Sequence, residues 1–218
     1  MVKNMVFTIK WLGHASFQIK VNDFNIYVDP YEGTYVDKAD MILISHDHFD
    51  HCDVSKIEKI RKEETIIIAP STCLSRIKGK VKVLKAGEKV AINDFTIEAV
   101  QAYNIKRFRS PGTPFHPKGS GIGYLITASG KTVYYAGDTD FVQEMNELKN
   151  VFLAILPTGG TYTMDNPEAA EATLAIKPQV AIPMHTLDSD PKQFKKLVEQ
   201  SSKIKVTLLN PGEKYEFE

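Results

Sequence analysis

A run of potential metal ligands occupies residues 46–51, where three histidines and two aspartates fall within six consecutive positions. The whole chain of 218 residues contains only six histidines. Neutral imidazole nitrogens and carboxylate oxygens bind borderline divalent metals such as zinc. On a tight loop, His46 and His48 can point to one side while Asp50 and His51 point to another, which suits two cations about 3.5–4 Å apart. The run therefore predicts a binuclear metal site.

The segments on either side of this run would hold it at the end of a buried strand. Residues 41–44 are apolar and have the length of a buried strand. Val54, Ile57 and Ile60 follow the run at the spacing of three and four that starts a helix. Because α/β folds place their chemistry on loops at the carboxyl ends of strands, we expect residues 46–51 to form such a loop.

The motif His46-x-His48-x-Asp50-His51 resembles the signature of the metallo-β-lactamase superfamily. The chain from Trp11 to His185 is similar to the small metal-dependent hydrolase branch of that superfamily, which includes ascorbate-6-phosphate lactonase-type enzymes. The resemblance implies an α/β (α+β) fold, an αββα four-layer sandwich of two mixed β-sheets flanked by helices. A length of 218 residues agrees with a single domain over residues 1–218.

Three later segments resemble the remaining ligand positions of the superfamily. His116 precedes a glycine-rich turn and a strand, Asp138 lies in a Gly-Asp-Thr sequence, and His185 follows an apolar strand that contains proline. The resemblance implies one metal bound by His46, His48 and His116, a second bound by Asp50, His51 and His185, and Asp138 shared by both. The expected cofactors are two divalent ions, with zinc first and manganese or iron as alternatives, since such donors accept several first-row ions.

The chemistry that the resemblance implies is hydrolysis by a metal-bound hydroxide. Two cations would lower the pKa of bound water to about 7 and polarise the oxygen that is attacked. An ester, a lactone or a phosphodiester would suit this reaction. Asp50, His14 and Lys118 are the candidate catalytic residues for protonating the leaving group, and the sequence does not rank them. His14, in a Gly-His-Ala segment, is equally open to a structural role.

A basic stretch later in the chain favours an anionic small-molecule substrate. No acidic residue occurs between residues 99 and 137. Residues 103–115 are rich in proline, glycine and aromatic residues without a usable period, which predicts a long loop of the kind that covers or binds ligands. We predict that Arg107, Arg109 and Lys118 bind a phosphate or carboxylate of the substrate. The alternative is a solvated basic loop.

The composition limits the partners and the compartment. Lys plus Arg and Asp plus Glu number 27 each, which favours neither nucleic acid nor a membrane surface as a partner. Two cysteines, no signal-like N-terminus and no apolar run near 18 residues predict a cytoplasmic protein without a membrane span. The sequence leaves a homo-oligomer open.

Three rival interpretations remain from the sequence. A nuclease of the same superfamily would usually add a recognition domain or a basic arm, and neither is visible. Di-iron flavoprotein oxidoreductases carry a first motif that resembles His-x-Glu-x-Asp, whereas this chain has His48 at the position of the glutamate. A non-catalytic metal-binding module remains possible in principle, because ligands alone do not prove turnover.

Apolar periodicity predicts the other elements. They divide the chain into two halves that meet near residue 118. Asn166 is the predicted N-cap of the helix that begins at residue 167. The predicted strands are 6–9, 17–21, 24–28, 41–44, 65–69, 81–84, 95–100, one that follows the glycine-rich turn after His116, one from 131, 151–156, 179–184 and two short strands at the end, and the predicted helices are 54–61, one from 71, 167–176 and 191–200.

Overall fold

Two large mixed β-sheets account for most of the structure, a computed structural model that describes residues 5–218. Each sheet belongs to its own compact unit. The N-terminal unit comprises residues 5–84 and Leu209–Glu218, and the C-terminal unit comprises Lys85–Leu208. The predicted boundary near residue 118 is wrong, because the division falls at Lys85 and the end of the chain returns to the first sheet. The single-domain expectation stays a prediction.

The strands and helices are short, and loops of varied length connect them. The strands are β1 Phe7–Gly13, β2 Ser16–Val21, β3 Phe24–Val28, β4 Met41–Leu43, β5 Ile66–Ala69, β6 Val81–Val83, β7 Lys89–Ile92, β8 Phe95–Ala102, β9 Phe108–Ser110, β10 Thr113–Pro114, β11 Gly121–Ala128, β12 Lys131–Tyr135, β13 Val151–Pro157, β14 Val180–Met184, β15 Lys205–Val206 and β16 Lys214–Phe217. The helices are α1 Val54–Ile60, α2 Asn166–Ile176 and α3 Pro191–Ser201, with 3-10 turns at Ser71–Ser75 and Gln143–Glu147.

The sheet of the N-terminal unit has the order β16-β1-β2-β3-β4-β5-β6. Its first strands form an antiparallel meander, and β3 to β6 are parallel. The side chain of Asp53 caps α1 by accepting from the backbone N–H of Ser55 at 2.8 Å. Ile57 and Ile60 of α1 then pack in one apolar cluster with Ile42 of β4. This strand, loop and helix fix residues 45–53 between two buried elements, as the sequence predicted.

The sheet of the C-terminal unit has the order β15-β14-β13-β12-β11-β8-β7. The strands β12 to β15 are parallel, so the carboxyl ends of β12, β13 and β14 lie side by side at one edge. Helix α2 packs its small residues, Ala169 and Ala172, against Ala154 of β13 in one apolar cluster. Its cap is Asp165 and not the predicted Asn166, because the Asp165 carboxylate accepts from the N–H of Glu168 at 2.9 Å.

The predicted class of two mixed sheets with a few helices is confirmed. Two details differ from the expectation. The segment predicted as a long loop contains the short hairpin β9–β10, and the exposed strand β7 had no predicted counterpart. Both cysteines are free and buried, and Cys52 packs in the cluster around α1, which supports a packing role for it. Among the described residues, no helix has the length and apolar character that crossing a membrane requires.

Candidate metal centre

The histidine-rich run forms a tight turn immediately after β4 in the N-terminal unit. The backbone N–H groups of His51 and Cys52 both donate to the carbonyl of His48, at 3.1 and 2.8 Å. This turn brings the imidazole rings together, with 4.6 Å between the centroids of His46 and His48 and 4.1 Å between those of His46 and His51. The run is therefore a cluster of facing histidines and not a solvated surface turn.

A buried carboxylate beneath the turn fixes the tautomer of two of these histidines. Asp29 accepts from the backbone N–H and the hydroxyl of Ser45, at 2.7 and 2.5 Å, and from Nδ1 of His51 at 2.8 Å. A carboxylate only accepts, so the neutral His51 ring carries its proton on Nδ1 and its lone pair on Nε2. The single hydroxyl proton of Ser45 goes to Asp29. Its oxygen must then accept from Nδ1 of His46, at 2.9 Å, which gives His46 the same tautomer.

His14 contacts Asp50, one of the two aspartates of the run. Its Nε2 lies 3.1 Å from Oδ2 of Asp50. The side chain of Trp11 holds the turn that presents His14, since its Nε1 donates to the carbonyl of His14 at 3.0 Å. His14 itself has a left-handed backbone, with φ of 48°. This contact joins two of the three candidate proton donors, His14 and Asp50.

The later ligands meet at the adjacent strand ends of the C-terminal unit. Oδ2 of Asp138, which follows β12, lies 3.5 Å from Nε2 of His116 and 3.3 Å from Nε2 of His185. All three side chains are buried. Two imidazoles aimed at one carboxylate oxygen form a compact set of donors. The structure thus brings together these three residues, although 69 positions separate the first from the last in the chain.

Asn104 orients His116, a role that no sequence pattern indicated. The amide oxygen of Asn104 accepts from the backbone N–H and from Nδ1 of His116, both at 2.8 Å. Its amide nitrogen donates to Oδ1 of Asp140 and to the carbonyl of Tyr162, both at 3.0 Å, which fixes the orientation of the amide. His116 therefore carries its proton on Nδ1 and its lone pair on Nε2, the tautomer found for His46 and His51.

Asp140 anchors the start of the segment that leads to His116. Its fully buried carboxylate accepts from the backbone N–H groups of Ile105, Lys106 and Arg107, at 2.7, 2.6 and 3.3 Å. Burial alone would raise the pKa of Asp140, but the N–H of Lys106 and the guanidinium of Arg107 outweigh it and hold the pKa below its usual value. Asp140 therefore anchors a loop that lies 33–35 positions earlier in the chain.

The three predicted anion-binding residues have different surroundings. The guanidinium of Arg107 is largely buried and bonds Asp140 at 2.6 Å and Glu168 at 2.5 Å. Arg109 is exposed and lies over the ring of Phe115, 5.8 Å from its centroid. Lys118 is exposed and bonds Glu144 at 2.7 Å. The charge of Arg107 is thus paired with carboxylates inside the protein, whereas Arg109 and Lys118 face solvent.

The residues present suit divalent metal ions. In the N-terminal unit, Asp29, His46 and His51 each offer a ligand atom within 4.8 Å of the others. An imidazole ring whose Nδ1–H donates to another group presents its Nε2 lone pair, and such rings are usual ligands of zinc, manganese and iron. The predicted ligands divide between the two units, and their role as ligands stays a prediction; by unit they are His46, His48, Asp50 and His51, and His116, Asp138 and His185.

Comparison with known proteins gives matches along nearly the whole chain. A family model described as the beta-lactamase superfamily domain matches residues 8–185. A UPF0173 metal-dependent hydrolase of Aeropyrum pernix is 34% identical, over 96% of this chain and 97% of the relative. A solved structure from Parabacteroides distasonis, proposed to be a metal-dependent hydrolase, is 36% identical with a TM-score of 0.88, over 94% and 93% of the two chains. A metallo hydrolase of Ignicoccus hospitalis is 27% identical with a TM-score of 0.81, over 98% and 99%.

Proposed function

This chain belongs to the beta-lactamase superfamily, and we propose that it is a metal-dependent hydrolase acting on an ester, lactone or phosphodiester bond of a small anionic substrate. Its metal ligands in this proposal are those named above for the two units, holding two divalent cations, with zinc as the first expectation. The names of the relatives in Aeropyrum pernix and Ignicoccus hospitalis support the reaction class.

The observation that carries the proposal is the common tautomer of three histidines. His46, His51 and His116 each have Nδ1 held by an acceptor, namely Ser45, Asp29 and Asn104. A histidine serving only to pack the core has no reason to share this arrangement with two others at separate places in the chain. Imidazoles held in this way keep the Nε2 lone pair in a fixed direction, which is what a metal ligand requires.

Bound divalent cations would supply a nucleophile at neutral pH by acidifying water and would polarise the oxygen that is attacked. The protein's own contribution is to hold the donors rigidly. Asp29 bonds both the backbone and the hydroxyl of Ser45, so His46 and His51 are fixed through one buried carboxylate. Asp138 would serve as a ligand common to both cations, and the proximity of its carboxylate to Nε2 of His116 and of His185 supports this role.

Protonation of the leaving group falls to His14 and Asp50 in this proposal. Their 3.1 Å contact lets one proton be held between Nε2 of His14 and Oδ2 of Asp50. Lys118 suits a different task. Its hydrogen bonds to Glu144 and Tyr103 raise the pKa of Lys118, so it stays a cation at neutral pH and is a poor proton donor. With Arg109 it can attract an anionic substrate.

A screen of chromogenic phosphodiesters and lactones with the metal-loaded protein tests the proposal. We expect turnover of at least one class. Replacing Asp138 with alanine should lower metal content and abolish that turnover. The matched control is Asp94→Ala, at an exposed turn between β7 and β8. Full activity in Asp138→Ala would refute its role, and absence of turnover from every substrate would favour a binding module.

A further inference from the structure

Apolar side chains lie at the surface near two of the three predicted ligands of the C-terminal unit, His116 and His185. Leu187 is 43% exposed and follows His185 by two residues. Tyr162 is 41% exposed, and Phe115, which it contacts, directly precedes His116. Single apolar residues on a surface need no explanation. Two exposed residues together with a half-buried ring, all near two predicted ligands, do need one, and we call Phe115, Tyr162 and Leu187 the apolar rim.

One loop, residues 158–165, supports all three members of the rim. The ring of Phe115 meets that of Tyr162 edge to face, with 4.8 Å between centroids. At the other end of the loop, Gly159 lies against Leu187, because a Cβ on Gly159 would stand 3.1 Å from the leucine side chain. The carbonyl of Tyr162 also accepts from Asn104, the residue that orients His116. The loop that contacts the apolar rim therefore also helps to hold the residue that orients His116.

The backbone at Leu187 is strained in order to present this side chain. Its φ is 48°, in the left-handed region that large residues rarely adopt. A leucine with a strained backbone and an exposed apolar side chain lowers the stability of the folded protein for both reasons. Strain of this kind concentrates at functional sites, where the surrounding structure enforces it.

The charge near the rim complements its apolar character. The guanidinium of Arg109 lies 5.8 Å from the centroid of the Phe115 ring. A cation beside an aromatic surface can hold an anionic group while carbon chains pack on the ring.

The N-terminal unit repeats the pattern on its own ligand loop. Phe49 is 64% exposed between the ligands His48 and Asp50. The ring of Tyr31 meets it edge to face at 5.9 Å. Each unit thus carries an aromatic residue next to a predicted ligand in sequence, exposed in the case of Phe49 and half-buried in the case of Phe115.

We propose that the substrate is an amphiphile, in which an anionic or ester group is joined to an apolar alkyl or aryl arm that packs on the apolar rim. This inference rests on the proposed hydrolase function and narrows its substrate class. A compact anion such as inorganic phosphate or a bare sugar phosphate would leave the rim uncovered. An arm of several carbons would cover it and remove apolar surface from water.

Binding of n-alkylphosphonates, which do not hydrolyse, tests the inference on the metal-loaded protein by calorimetry. Burial of each methylene strengthens binding about fourfold, so burying only two gives about 16-fold. We expect octylphosphonate to bind at least tenfold more tightly than methylphosphonate. Leu187→Ser and Tyr162→Ser should each weaken octylphosphonate binding and leave methylphosphonate binding unchanged, with circular dichroism confirming that both variants are folded.

Leu74→Ser is the matched control, because Leu74 is 48% exposed but lies on the 3-10 turn Ser71–Ser75, apart from any predicted ligand in sequence. It should leave both affinities unchanged. Equal affinity for all chain lengths, absence of octylphosphonate binding, or equal losses in Leu74→Ser and Leu187→Ser would overturn the inference. Dependence on chain length without turnover of any ester, lactone or phosphodiester would instead overturn the proposed function and leave the rim as an amphiphile-binding surface.

Discussion

Asp140→Asn is the most informative single substitution for the architecture of the site. The Asp140 carboxylate accepts five hydrogen bonds, which come from three backbone N–H groups of residues 105–107, from Arg107 and from Asn104. Asparagine has nearly the same shape but replaces one oxygen with an amide donor. Whichever way that amide turns, a donor then faces the N–H groups of the loop or those of Arg107 and Asn104. The loop that carries His116 loses its anchor.

The size of the effect follows from these contacts. Breaking one partner of a buried ion pair costs about 3–5 kcal/mol. Because Arg107 keeps Glu168 at 2.5 Å, we expect the lower end, about 3 kcal/mol of unfolding free energy. For a chain of this size that lowers Tm by about 6–12 °C. The control Asp94→Asn, at an exposed turn, should change stability by less than about 0.5 kcal/mol.

The pH dependence gives a second signature of Asp140. Its folded pKa lies below the ordinary value of about 4, so its contribution to stability is complete above that value and disappears as pH falls through the folded pKa. Urea unfolding of wild type and Asp140→Asn at neutral pH and below pH 4 measures this. The difference in unfolding free energy should be largest at neutral pH and should shrink in acid. A difference under 1 kcal/mol at neutral pH, or one equal at every pH, would refute the reasoning.

Four further substitutions separate binding, orientation and packing. Arg109→Ala should raise KM for anionic substrates and not for neutral ones, whereas Arg107→Ala should mainly lower Tm; equal KM effects in both variants would contradict this division. Asn104→Leu should weaken metal affinity about 10- to 100-fold by releasing Nδ1 of His116, and an unchanged metal titration would count against the orienting role. Gly159→Ala should destabilise the protein by about 1–3 kcal/mol, because the added methyl would meet the carbonyl of His185, and an unchanged Tm would show that the contact relaxes.

Local patterns in the sequence were sufficient for the elements with strong apolar character. Residues 24–28 were predicted as a strand and form β3, since their β-branched and aromatic residues suit a buried sheet. The cap of α2 was misplaced by one residue, because both Asp165 and Asn166 are good capping residues and only the backbone decides between them. The strand β7 could not be predicted because it is short and half exposed, which makes its apolar pattern weak.

The features of the site that could not be predicted depend on contacts between residues that are distant in sequence. Arg107 was predicted to bind substrate because its neighbours in the chain are basic, but Glu168, its partner, lies 61 positions away. Asn104 showed no pattern at all, since its role depends on how a loop closes back to His116. The ligands in residues 46–51 were identifiable because histidine is rare in the chain and closely grouped there, whereas His116, Asp138 and His185 were identified through the resemblance to the superfamily. Their assignment as metal ligands stays a prediction.

Metal analysis of the purified wild-type chain, with hydrolysis measured on the same preparation, tests the central claim most directly. After exposure to zinc, manganese or iron(II) and removal of free metal, inductively coupled plasma mass spectrometry should find two divalent ions per folded chain, and removal of the metal by a chelator should abolish turnover. A folded chain that retains none of these ions, or that hydrolyses its substrate equally well after the metal is removed, would contradict the account.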